Sequence, residues 1–172
     1  MKKSANMYFP VLEDLKKVNK LEVDLLDWWV GTRKKNTWNY LNPLQFSVDC
    51  GVSEETAFNL FAECTLQEDV KLFEVRTILR CPQCNKVITR EIGKFNMENG
   101  FPNNCSECHE LIDYEVFKDD IEIYFSLLIS PTPTTDFKPM PLGGESKQVD
   151  ALTFQSAQQI SKKGALAKLL DF

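Results

Sequence analysis

Four of the six cysteines fall into two short pairs, Cys81-Pro82-Gln83-Cys84 and Cys105-Ser106-Glu107-Cys108, with twenty residues between them. A C-x-x-C turn directs both sulfurs to one point. Two such turns at this separation have the spacing of a structural zinc site. The chemistry expected is metal binding by Cys81, Cys84, Cys105 and Cys108 as thiolates, about 2.3 Å from a tetrahedral zinc ion. Four protein ligands leave no position for water or substrate, so the ion is expected to hold the fold and perform no reaction. A redox pair would need one C-x-x-C in a βαβ context, and a disulfide framework would need a secreted chain. The basic start, Met1-Lys2-Lys3-Ser4-Ala5-Asn6, is followed by no apolar signal region. Cys50 and Cys64 lie outside the zinc set and read as small apolar core residues.

No other motif points to catalysis. G-x-S-x-G, P-loop and H-E-x-x-H patterns are absent, and the single histidine, His109, stands next to a zinc ligand. The chain reads as non-enzymatic. No apolar run is long enough to span a bilayer, and a reducing, cytoplasmic setting fits the cysteines.

The elements that must position the sulfurs come next. Phe9 to about Val30 reads as one helix or two, with Val11, Leu15, Val18, Leu25 and Trp28 near helical spacing. Pro43–Cys50 reads as a short helix and Gly51-Val52 as a turn. Ser53 reads as the N-cap of a second helix, with Glu54 and Glu55 in its first turn and Ala57, Leu60, Phe61 and Cys64 as its buried stripe. A helix, a glycine turn and a capped helix form the layout of a helix-turn-helix. From Val70 to Arg80 the period becomes that of a strand, with Phe73, Val75, Thr77 and Leu79 on one face. This strand enters the first C-x-x-C, and Val87–Arg90 is the return strand. Asn96–Asn104 reads as a loop, Ile112–Phe117 as a strand and Ile121–Leu127 as another. Pro131, Pro133, Pro139, Pro141 and Gly143-Gly144 mark a linker. Leu166, Leu169 and Leu170 then form the apolar face of a tail helix.

The expected class is α+β: a helical N-terminal region with a winged helix-turn-helix (1–75), a four-cysteine zinc ribbon (76–130), a linker (131–145) and an amphipathic tail helix (146–172). The architecture resembles that of archaeal transcription factor E, alpha-type, over roughly residues 40–118, through the helix pair around Gly51 and the four sulfurs. Ribbon turns of this kind often carry glycine after the second cysteine; here Asn85 and His109 stand there. The resemblance implies a winged helix and a zinc ribbon and leaves the activity open. Proteins of this size and layout also serve as accessory components of multi-gene bacterial systems.

Charge separates the functions. Residues 43–75 carry one basic and seven acidic side chains, within a chain of net charge −5. A DNA-reading helix presents Arg, Lys, Asn or Gln to the major groove. Here it would present Glu54, Glu55, Thr56, Asn59 and Glu63. The expected role is an adaptor or regulatory subunit that binds a protein partner through the winged helix and through Leu166, Leu169 and Leu170. The alternative is a nucleic-acid binder using Arg33, Lys34, Lys35 and Arg90 on phosphates, with Arg76, Arg80, Lys86 and Lys94 nearby.

Overall fold

Six helices and a three-stranded antiparallel sheet build the chain in the computed structural model, which describes residues 7–93, 102–133, 148–161 and 164–170. The fold is α+β. Helix α1 (Lys16–Gly31) follows a 3-10 turn at Pro10–Leu15, where Pro10 occupies the first position. Asn19 breaks the helical dihedrals, so the turn and the helix are out of phase. The buried stripe is therefore Leu12, Val23, Leu26, Trp29 and Val30. Of the residues at helical spacing, Val18 is 83% exposed and Val11, Leu15, Leu25 and Trp28 are only partly covered. Asp27 is buried because its carboxylate accepts from the amides of Tyr8 (3.0 Å) and Phe9 (2.7 Å), pinning the N-terminal segment along α1. At Gly31 the Tyr8 ring lies 2.3 Å from where a Cβ would stand, so only glycine admits that approach.

Helices α2 (Pro43–Cys50) and α3 (Glu54–Leu66) follow the local signals closely. The Asn42 side chain accepts from the Leu44 amide, Gly51 ends α2 at φ 66°, and the Ser53 hydroxyl accepts from the Thr56 amide. These are an N-cap, a left-handed C-cap and a second N-cap. Helix α3 lies at the centre. Ala57, Leu60, Phe61 and Cys64 are buried as expected, and so are Phe58 and Ala62, because α5 (Phe154–Ile160) and α6 (Ala165–Leu170) pack on it. Glu54 and Glu63 remain exposed, while Glu55, Thr56 and Asn59 are half-covered.

The sheet has the order β2-β1-β3, from β1 (Phe73–Arg80), β2 (Val87–Ile92) and β3 (Glu122–Leu127). Phe73, Val75, Thr77 and Leu79 face α3 and are buried. Phe61 stacks on Phe73 with centroids 4.8 Å apart and meets Phe125 edge-on at 5.2 Å. Trp29 adds edge contacts to Phe46 and Phe61. The far edge of β3 is paired by backbone bonds to Trp38, Leu41 and Leu152, so segments from both ends of the chain close that side.

One expected strand is absent. Within Ile112–Phe117, residues Tyr114–Phe117 form a helical turn, α4, started by the Asp113 carboxylate accepting from the Glu115 amide. The expected linker at 131–145 and the loop at Asn96–Asn104 lie mostly outside the described residues. In the tail, the Thr153 and Ser156 side chains form a reciprocal capping box that starts α5.

Candidate metal centre

The four sulfurs converge. Strand β1 ends at Arg80 and Cys81 follows, so the first C-x-x-C forms the tip of the β1–β2 hairpin. There the Cys81 amide donates to the Lys86 carbonyl (2.8 Å) and the Asn85 amide to the Cys81 carbonyl (2.8 Å). The second turn repeats both bonds at the same spacing. The Cys105 amide donates to Glu110 (2.9 Å) and the His109 amide to Cys105 (3.0 Å). Asn85 at φ 60° and His109 at φ 63° occupy matching left-handed positions. This explains the sequence departure: asparagine tolerates that conformation and histidine takes it at a cost of about 1 kcal/mol.

All four sulfurs lie within 4.8 Å of one another. Two of the separations, Cys81 to Cys108 at 3.5 Å and Cys84 to Cys105 at 3.7 Å, each join one turn to the other. A tetrahedron with 2.3 Å arms has edges of about 3.8 Å. The cluster therefore has the dimensions of a four-thiolate metal cage, and its thiols are not disulfide-bonded. Cys81 and Cys105 are buried, Cys84 is half-covered and Cys108 is exposed.

Backbone amides favour ionisation at Cys105. The Glu107 amide points at the Cys105 sulfur at 3.4 Å. Amides of Cys108 and Glu107 bring the Cys105 thiol down to about 7. At Cys108 the Glu110 amide also draws the thiol down, but burial and the neighbouring cysteine sulfurs push it up to about 12. A cation among the sulfurs would relieve that crowding of negative charge. Four thiolates in a tetrahedron fit zinc.

The second turn belongs to a segment, residues 102–121, whose covered apolar side chains among the described residues are Ile112, Phe117 and Ile121. A backbone bridge joins Asn104 to Leu111, and the Ile112 amide donates to Asn103. By contrast Cys50 and Cys64 pack in the core. Burial, joined by Asp49 at Cys50 and by Glu63 at Cys64, pushes both thiols to about 12.

The other expected site residues are placed as follows. Leu166, Leu169 and Leu170 are 6%, 2% and 0% exposed and pack within this chain, where α6 meets α3. Arg33 is held over the Trp29 ring, 4.5 Å from its centroid, and its Nη1 is 3.7 Å from the Asp49 carboxylate. Lys34 and Lys35 are exposed beside it, and Arg90 is exposed on β2. Lys94 lies outside the described residues. Sequence reasoning missed the buried Asp49, which accepts from Trp29 Nε1 and Gln45 Nε2 at 2.9 Å each. The available signal was a carboxylate between Val48 and Cys50 in a helix this short.

No protein-family model, no curated protein and no solved structure matches the chain. Among the described residues no helix is long and apolar enough to cross a membrane.

Proposed function

We propose that the protein is a non-enzymatic adaptor in which a zinc ion fixes a lobe that binds another protein. Several observations support this reading. All four ligands come from the chain, so the cage is closed to substrate. Among the described residues, the four cysteines are the one clustered set of metal-ligating side chains. The helix-turn-helix of α2 and α3, followed by the β1–β2 hairpin, fits a winged-helix element. Its second helix is wrapped by α5 and α6, which leaves no free recognition helix for a DNA groove.

The observation that carries the proposal is the exposure of two large apolar side chains on the metal-held lobe. Leu111 is 72% exposed and Val116 62%, within six residues of each other in sequence. Isolated exposed apolar residues are ordinary. Two of them close in sequence to the second C-x-x-C support a docking role for that segment. The tail leucines, already used by the chain's own core, support the scaffold.

The test is a tagged chain isolated from its native host beside the double variant Leu111→Asp, Val116→Asp. A stoichiometric protein recovered with the first and lost with the second, at equal metal content, is the expected result. Recovery of the same protein by both would reject the lobe as the docking surface.

A further inference from the structure

The two faces of the sheet differ in chemistry. Directly paired residues of an antiparallel ladder share a face. Opposite the aromatic core, the outer face brings together Arg76, Ile92 and Tyr124 in one row and Ile78, Arg90 and Glu122 in the next. Glu122 is taken by Arg80, whose Nε is 3.0 Å from its Oε2. Among the described residues, Arg76 and Arg90 have no ion pair, and Arg76 Nε is covered without a hydrogen-bond partner. The remaining acid on this face is Glu74, beside Ser126. A chain of net charge −5 thus carries two arginines on this face, Arg90 exposed and Arg76 half-buried beside the buried Ile78.

The face leads to two tyrosines. Tyr124 meets Tyr40 edge-to-face, with centroids 5.6 Å apart and planes at 85°. Tyr40 is 45% exposed. Both rings line a cavity of about 490 Å³ that also contains Trp29, Arg33, Asn42 and Gln45. Arg33 is fixed there, stacked on Trp29 with its Nε donating to the Trp29 carbonyl at 3.1 Å. A cavity of this size falls in the range that takes small ligands, about 300–1,000 Å³.

We propose that this diagonal strip, Arg90 to Arg76 to Tyr124 and Tyr40, binds single-stranded nucleic acid, with phosphates along the arginines and a base at the tyrosine-lined cavity. Guanidinium groups match phosphate oxygens, and aromatic rings hold unstacked bases of any sequence. A duplex keeps its bases stacked and offers none to the cavity. An acidic peptide shares the charge but has no flat ring for the tyrosines. The surface is separate from Leu111 and Val116, so this proposal and the adaptor reading can fail independently.

The experiment uses the full-length, zinc-loaded chain and fluorescein-labelled oligouridylate and oligothymidylate of about twelve nucleotides, a length within known single-strand site sizes. Anisotropy should report binding that weakens with salt, with a log–log slope of about −1.4 for two phosphates at about −0.7 each. Arg90→Glu and Tyr40→Ala, both at exposed positions, should each weaken binding about tenfold while zinc content and circular dichroism stay unchanged. Absence of binding at low salt, or equal binding by both variants, would overturn the proposal. Displacement by oligoglutamate as effective as by unlabelled oligonucleotide would also overturn it, and would assign the face to acidic peptides.

Discussion

Phe61 and Cys105 are both almost completely covered, but by different means. Phe61 is enclosed by Phe46, Phe73, Phe125 and Trp29, and its neighbours Leu60 and Ala62 are buried too. Around Cys105 the chain from Asn103 to Leu111 is otherwise exposed, and the next buried side chain is Ile112. One region excludes water with carbon and the other gathers four sulfurs. The α3–sheet region is therefore expected to persist without metal, whereas the segment at 102–121, which buries few side chains beyond Ile112 and Ile121, is expected to depend on it.

The largest expected effect comes from removing the clip. Cys105→Ser should abolish metal binding and with it about 10 kcal/mol of local folding free energy. Hydrogen exchange should show lost protection over residues 102–120 and the hairpin tip, with β1, β3 and α3 still protected. Cooperative loss of the entire fold would break the comparison. Phe61→Ala does the converse. It should cost about 3–5 kcal/mol of global stability in a denaturant titration, while folded molecules keep their full metal content. Asp49→Ala comes next, at about 1–3 kcal/mol, because Trp29 Nε1 loses its acceptor inside the core. Restoration of part of that loss by Asp49→Asn would assign it to the hydrogen bond.

The parts of the fold legible in the sequence are those with local chemical causes. Pro43, Gly51 and Ser53 bound α2 and α3 through capping geometry, alternation marks β1 and β3, and the hairpin around the first C-x-x-C marks β2. The ligand set is legible because a C-x-x-C turn needs no tertiary information to aim its sulfurs. Misreadings arose where a distant contact or a break in phase decides. Asn19 shifts the N-terminal stripe out of the simple helical period. Ile112, Tyr114 and Val116 alternate like a strand, but Asp113 starts a helical turn instead. Periodicity finds the apolar face of α6 but cannot say that α3 receives it. The sheet's outer strip was dispersed over β1, β2, β3 and the Tyr40 segment, and only strand register brings Arg76, Arg90 and Tyr124 together.

The last expected effect is confined to alkaline pH and is absent at neutral pH. The Cys64 thiol is raised from 9.0 to about 12, chiefly by burial and further by Glu63. Below pH 9 both folded and unfolded chains keep the proton, so this group adds no pH dependence. Between about 9 and 12 the unfolded chain releases a proton that the folded chain retains, and stability falls. Thermal melts across that interval should show the decline, and Cys64→Ala should reduce it, leaving the part due to Cys50, at a cost of about 1 kcal/mol at neutral pH.

The most direct measurement of the central claim is X-ray absorption at the zinc edge on freshly isolated protein, with metal quantified per chain. The account predicts one zinc ion per chain and a first shell of four sulfurs at about 2.3 Å. A folded, metal-free chain, or a first shell containing oxygen or nitrogen in place of sulfur, would contradict it.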